Sequence, residues 1–184
     1  MNLSSILDKY SKDSDKIVYM RVYDTPVGNL IAAGDEKYLY MLVSIDSKNF
    51  EKHFKVVSEQ LTCHFVEGST KVLDTLNDEI TAYFDGKLKI FSVPMQTFGS
   101  DFQKQVWKKL QELPFGITQT YGDLAKSLGM DSSHSRAVGA ACGANAHLIV
   151  IPCHRVIASG SKGGFSSGVD RKEKLLDHEK KYCT

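Results

Sequence analysis

Chemistry enters this sequence at Pro152-Cys153-His154-Arg155-Val156, where a thiol, an imidazole and a guanidinium follow one another directly after the apolar run Leu148 to Ile151. The run is β-branched and apolar, which predicts an interior strand, and Pro152, lacking an N–H, closes it and leaves the thiol at the strand end. A single cysteine is ordinarily a small core hydrophobe. To act as a nucleophile it must ionise, and with an unperturbed pKa of about 8.5 it needs an adjacent base or cation, which His154 and Arg155 can supply. The remaining cysteines, Cys63, Cys142 and Cys183, are far apart and form no CxxC, which fits reduced thiols rather than a disulfide framework. Cys63-His64 is the only other Cys/His neighbour pair, and with no further ligands nearby it predicts no metal site. Cys142 lies among small residues without an adjacent base and reads as packing.

The elements that must position this stretch can be followed along the chain. Residues 1–15 mix Ser, Asp and Lys and predict a flexible lead-in, with order beginning near Ile17. Ile17 to Tyr23, Leu30 to Ala33 and Tyr38 to Ser44 read as strands separated by Pro/Gly/Asp turn signals, and the short connections predict an antiparallel meander. Phe50, Phe54, Val57 and Leu61 share one helical face, as do Val72, Leu73, Leu76, Ile80, Tyr83 and Phe84, so two helices cover the sheet. A strand-like Leu88 to Val93 follows. Pro94 and the Gly99-Ser100 pair then mark a domain boundary, giving 1–94 and 95–184.

Beyond it, Ser100 or Asp101 caps a helix burying Phe102, Val106, Trp107, Leu110 and Leu113, stopped by Pro114-Phe115-Gly116. Thr120 opens a short helix from Tyr121 to Leu128, with Asp123 completing a variant capping box and Gly129 at the exit. Ser133 caps a second helix, from about His134 to Ala144, and the pair forms a helix-turn-helix pattern. Ala137, Gly139, Ala140, Ala141, Gly143 and Ala144 make this second helix small almost all round, with Arg136 near its start. Such a surface serves tight packing on a core, or close approach to a DNA groove with one arginine reaching the base stack. The Gly/Ser-rich loop from Ala158 to Gly168 lacks the Gly-Lys-Ser/Thr ending of a phosphate-binding loop and suits a linker or the grip on a flat heterocycle. A last helix, about Asp170 to Lys180, turns Leu175 and Leu176 inward and carries Glu179 in its final turn.

Composition sets the outer bounds. At 184 residues, 42% hydrophobic and 24% charged, the chain is long enough for one full core or two small ones. No apolar run reaches the roughly 20 residues of a membrane span, and Met1 to Lys16 has no signal-peptide core, which predicts an intracellular protein. The net charge of +1 divides unevenly: 12 Lys+Arg against 8 Asp+Glu from Met95 onward, 11 against 14 before it. The second half is the basic one, and its excess permits phosphate contact without requiring it.

The pattern resembles the O6-alkylguanine-DNA alkyltransferases. Phe102-Gln103, Val106-Trp107, Pro114-Phe115-Gly116, Thr120 to Ala125, Arg136 to Gly139, Asn145, Pro152 to Val156, Gly163 to Ser166 and Lys174 to Glu179 match that family's motifs in order. The resemblance implies a ribonuclease H-like α/β domain followed by a mainly α, winged-helix-like domain with a helix-turn-helix that enters the minor groove. It implies irreversible, single-turnover transfer of an alkyl group from O6-alkylguanine in duplex DNA, more weakly from O4-methylthymine, with no cofactor and no metal, by a monomer. The cell compartment would be the nucleus in a eukaryote and the cytoplasm in a prokaryote. Residue by residue, Cys153 is the acceptor, and His154, through a water, and Glu179 activate it. Asn145 fixes the active-site turn. Tyr121 presses on a phosphate and helps protonate the guanine, and Arg136 fills the gap in the base stack. Gln103, Gly122 and Ser159 touch the DNA backbone, and Phe165 with Ser166 walls the pocket. The chain departs from the common pattern at Ala146-His147-Leu148, at Met130 to Ser135 and at Ser167, each where many members carry a proline or glycine.

The residues alone leave two other readings open. A Cys-His-Glu thiol hydrolase accounts for the triad and not for the two-helix unit. A DNA-binding sensor on the same fold accounts for the two-helix unit and not for Cys153.

Overall fold

Short apolar runs within the first 67 residues build a four-stranded sheet, described here from a computed structural model covering residues 2–184. Strands β1 (Ile17–Tyr23), β2 (Leu30–Gly34) and β3 (Leu39–Ser44) form the predicted antiparallel meander. A fourth strand, β4 (His64–Glu67), pairs parallel to β1, so the sheet order is β3-β2-β1-β4. Helices α2 (Phe50–Leu61) and α3 (Lys71–Phe84) connect and follow β4 at the predicted positions. Both β2 and β3 are buried on both faces because two separate layers cover them. Ile31, Ala33 and Met41 pack toward Phe54 and Val57 of α2, while Leu30, Ala32 and Leu42 pack toward Leu73, Leu76 and Ile80 of α3.

Met1 lies outside the described residues, and the rest of the expected flexible lead-in, 2–15, is ordered chain. Leu3–Tyr10 form a helix, α1, whose Ile6 and Leu7 are buried in the α2-side core. The backbone after it is tied to β4 through Lys12 N–H to the Cys63 carbonyl and Phe65 N–H to Ser11 Oγ. Nor is Leu88 to Val93 a strand. It is irregular chain held by the buried carboxylate of Glu79, which accepts hydrogen bonds from the Ser92 and Val93 N–H groups and the Ser92 hydroxyl.

The second half is helical: α4 (Asp101–Gln111), α5 (Tyr121–Ser127), α6 (Ser135–Gly143) and α7 (Val169–Lys181), with a two-residue parallel pair β5 (Gln119–Thr120) and β6 (Val156–Ile157). Ser100 and Gln103 close a full capping box at α4, and Thr120 accepts from Asp123 N–H at α5. At α6 the cap differs from expectation. Asp131, not Ser133, accepts the Ser133 N–H and starts a single 3-10 turn, Ser132–His134, that leads into the helix. On α7 Leu175 is fully buried and Leu176 only half-buried.

The largest correction falls on Leu148 to Ile151. The run is buried as predicted but coils through turns instead of extending, with Ile149 at φ +70°. A β-branched residue in the left-handed region costs about 1–3 kcal/mol and persists only where its surroundings over-determine it. Here they do. Leu42 of the edge strand β3 accepts the Leu148 N–H and donates its own N–H to Ala146, both at 2.8 Å. Leu148, Ile149 and Val150 then enter the α3-side core together with Leu175. The exposed sheet edge is thereby covered, and the chain leaving it is fixed just ahead of Cys153. Among the described residues no helix is long and apolar enough to cross a membrane.

Candidate active site

Pro152 ends the coiled run and starts a 3-10 turn formed by Cys153, His154 and Arg155, all three buried. A single turn sends the three side chains in different directions. Cys153 lines a cavity of about 1280 Å³, while His154 and Arg155 point behind it. The Asn145 amide donates to the sulfur at 3.2 Å and to the Ile151 carbonyl at 2.9 Å, and its Oδ1 accepts the His147 N–H at 2.8 Å. This one side chain clips both limbs of the turn that presents the thiol.

Behind the thiol, Glu179 of α7 collects five hydrogen bonds. Its Oε1 accepts from His154 Nε2 at 2.6 Å, Tyr83 Oη at 2.8 Å and Arg155 Nη2 at 2.9 Å; its Oε2 accepts from Arg155 Nε at 2.8 Å and Gly116 N–H at 3.0 Å. Burial opposes the carboxylate, but the His154 and Arg155 hydrogen bonds outweigh it and hold the acid well below the usual carboxylate range. Arg155 is therefore not the cation that serves the thiol. Its charge is matched by Glu179, its Nη1 donates to the Leu113 carbonyl at 2.6 Å, and its guanidinium lies over the Phe115 ring. The Pro114-Phe115-Gly116 stop signal is thus also a wall of this cluster. Gly116 sits at φ +79°, and a Cβ there would meet Cys183 at 2.4 Å.

Burial lowers the His154 pKa despite the carboxylate, so the ring is neutral at neutral pH, with Nε2 carrying the proton and Nδ1 free of any protein partner. A neutral ring with an open acceptor nitrogen can take a proton. Burial likewise pushes the Cys153 thiol up, against the pull of the Asn145 N–H and the charge of Lys172. The resting sulfur is a thiol that needs a base to become a nucleophile.

Lys172 is the residue the sequence reading missed. It is 0% exposed on α7, and Nζ donates to the Val156 carbonyl at 2.6 Å and the Gly164 carbonyl at 3.1 Å, 3.5 Å from the Tyr121 hydroxyl. Burial lowers its pKa, while the two cysteine sulfurs Cys153 and Cys142 act to raise it. The signal was available in the spacing. Lys172, Leu175 and Glu179 fall on one helical face, which makes the lysine inward-facing if the other two are.

The remaining predicted residues border the cavity. Tyr121 stands over Gly163, whose missing Cβ would lie 3.1 Å from the ring, and burial pushes its hydroxyl up to about 12, so it keeps its proton. Gln103, Gly122, Ser159, Phe165 and Ser166 all line the same cavity, as does the exposed Arg136 at the start of α6. Gln103 also serves as the α4 capping-box partner. His154, Glu179 and Asn145 stand behind the wall. The loop bearing Phe165 and Ser166 is anchored to the first half of the chain by Arg171, which sequence reasoning also passed over. Its guanidinium donates to the Ser167 carbonyl, to the Val27 carbonyl at 2.6 Å and to the Asp46 carboxylate at 3.0 Å.

Residues 18–97 match the model of the 6-O-methylguanine DNA methyltransferase ribonuclease-like domain, and residues 101–181 that of the 6-O-methylguanine DNA methyltransferase DNA binding domain. A methylated-DNA–protein-cysteine methyltransferase of Methanosarcina acetivorans is 39% identical over 88% of this chain and 98% of its own length. One from Mycobacterium tuberculosis is 36% identical over 89% and 93%. Among solved structures, M. tuberculosis OGT in complex with DNA superposes with a TM-score of 0.78 at 34% identity, covering 90% of this chain and 94% of that one. The M. tuberculosis O6-methylguanine methyltransferase gives 0.76 at 35% identity over the same shares. A ribonuclease-like sheet domain followed by a helical DNA-binding domain is therefore the architecture of this protein, and the chain belongs to the 6-O-methylguanine DNA methyltransferase family.

Proposed function

We propose that this protein repairs DNA by direct reversal, moving the alkyl group of O6-alkylguanine onto Cys153 in a single irreversible turnover. The observation that carries the reading is the Cys153 sulfur on the wall of a wide cavity, held by Asn145 at 3.2 Å and backed by the His154–Glu179 pair at 2.6 Å.

The alkyl carbon is buried in a paired duplex, so the nucleotide must turn out of the stack, at a cost of a few kcal/mol that is smaller for a mispaired lesion. Helix α6 lies in the minor groove, where its small residues permit close approach, and Arg136 occupies the space the base leaves. Gln103, Gly122 and Ser159 hold the backbone, and Phe165 and Ser166 flank the flipped base. The Cys153 proton passes through a water to His154 Nδ1, and Glu179 balances the resulting imidazolium. Sulfur bonds to the alkyl carbon as the carbon–O6 bond breaks. The electron pair leaves on guanine, which takes the Tyr121 proton, and the Lys172 ammonium at 3.5 Å steadies the phenolate. The thioether offers water no activated carbon, so one protein molecule repairs one lesion.

The functional divide falls at 94/95, where Pro94 and Met95 lie along the β3 edge. The site of action is inside the cell, wherever its DNA is kept. Duplex DNA carrying a labelled O6-methyl group tests the whole reading. Label should pass to protein in a one-to-one ratio and not at all in Cys153→Ala. Binding of the duplex without transfer in the intact protein would sink it in favour of a sensor, and catalytic thioester turnover in favour of a hydrolase.

A further inference from the structure

The cavity that holds Cys153 is larger than its substrate. At about 1280 Å³ it exceeds the roughly 300–1,000 Å³ of pockets that take a whole small ligand, so one flipped base leaves much of it unfilled. Beyond Tyr121 and Arg136 the lining takes in Ala140 and Gly143 of α6 and, in the ribonuclease-like domain, Lys52, His53 and Gln60 of α2. The two walls are tied together by the Asn49 amide, which donates to the Gly143 carbonyl at 3.4 Å.

The charge along this route has one sign. Among the described residues that line the cavity there is no Asp or Glu, and Lys52, Lys104 and Arg136 each border it without an ion-pair or hydrogen-bond partner. Of the other lysines on these two helices, Lys55 pairs with Glu59 at 3.8 Å and Lys109 with Glu112 at 2.5 Å, while Lys108 has no such partner and lies off the cavity. The His53 ring is kept neutral by burial, with a pKa lowered to about 4, so Lys52 is the cation that α2 contributes to this wall. Unpaired cations along a groove without carboxylates are suited to a polyanion, and the groove is continuous with the site that receives a DNA base.

We infer that the DNA track extends beyond the helical domain onto α2, where Lys52 contacts a backbone phosphate of the duplex carrying the lesion. The ribonuclease-like domain then takes part in holding DNA. The inference rests on the proposed DNA repair but not on the identity of the alkyl acceptor.

The test is the salt dependence of equilibrium binding, read by fluorescence anisotropy with a labelled duplex containing O6-methylguanine. Each phosphate neutralised by a lysine adds about 0.9 to the slope of log K against log salt concentration. Lys52→Gln should lower that slope by about 0.9, which is about eightfold in affinity at 0.1 M salt if the curves meet at 1 M. Lys52→Arg should restore the slope. Lys55→Gln removes the same charge from the same helix outside the cavity and should leave the slope at its wild-type value. An unchanged slope in Lys52→Gln, or an equal fall in both glutamine variants, would overturn the contact. Neither result touches label transfer by the wild-type protein, so failure here is separable from failure of the repair reading.

Discussion

Replacing Glu179 with glutamine tests the cluster behind the thiol most directly. The side chain is 1% exposed and that of Arg155 6%, so the substitution leaves a buried guanidinium without its carboxylate. Removing one partner of such a pair costs about 3–5 kcal/mol, against total domain stabilities of about 5–15 kcal/mol. The amide also turns at least two of the five accepted hydrogen bonds into clashes of donors, because every group facing Glu179 donates and its two oxygens accept three and two of them. Tyr83→Phe is the graded comparison. It removes a single hydrogen bond to the carboxylate and keeps the charge, at a cost of about 1.5–3 kcal/mol. Urea unfolding should rank wild type above Tyr83→Phe above Glu179→Gln. Single-turnover label transfer, measured where all three are folded, should fall about 10²-fold or more in Glu179→Gln, because His154 loses the anion that makes it a base, and should change little in Tyr83→Phe. If Glu179→Gln unfolds within about 1 kcal/mol of wild type and transfers the label at the wild-type rate, Glu179 is neither the partner of Arg155 nor the support of His154.

Asn145→Asp keeps the shape but replaces the N–H donor at the sulfur with an acceptor and a negative charge; the Cys153 thiol pKa should rise further, and the pH profile of alkylation by a small free benzylated guanine should shift to higher pH. Arg171→Ala releases the Phe165–Ser166 loop from Asp46 and Val27, so transfer from duplex DNA should slow while thermal unfolding shows a loss of only about 1–3 kcal/mol; Arg171→Lys should recover part of both. The buried histidines set the acid limit. His53 and His147 have folded pKa values lowered by burial from 6.5 to about 4, so the unfolded chain binds the extra protons and stability falls as pH drops from 6.5 toward 4. Each contributes about 3 kcal/mol over that window, and His147→Gln should flatten the upper part of the urea-midpoint profile between pH 6.5 and 4.

The parts of the site that were legible in the sequence are those fixed by local chemistry. Cys153 and His154 announce themselves as neighbours, Thr120 and Ser100 as caps, and the small residues of α6 as a surface for close approach. What escaped reading depends on tertiary context. A lysine is solvated by default, and only the shared face with Leu175 and Glu179 marks Lys172 as buried. Leu148 to Ile151 has the propensity of a strand, and tertiary contacts override it, turning Ile149 into the left-handed region to aim Cys153. Residues 1–15 look polar in composition, yet Leu3, Ile6, Leu7 and Tyr10 repeat at helical spacing, a period that composition conceals.

The same contrast bears on the surroundings of Cys153, the nucleophile of the proposed reaction. A cysteine that reacts once and is spent must not be consumed by soluble electrophiles before it meets a lesion. Burial serves this end, because it keeps the sulfur protonated. It also raises the barrier to the wanted reaction, so the activating groups must act only when a base fills the cavity. The arrangement has that property. His154 is neutral and its Nδ1 unengaged by protein, Tyr121 holds its proton, and Lys172 rests on two carbonyls 3.5 Å from the phenol. Of these groups only Lys172 acts on the thiol in the resting protein, and its charge does not offset burial. Each gains a reason to do so when an alkylated guanine brings a leaving group that can accept the proton. In the proposed reaction, specificity then lies less in a reactive cysteine than in a cavity that favours ionisation when the substrate is present.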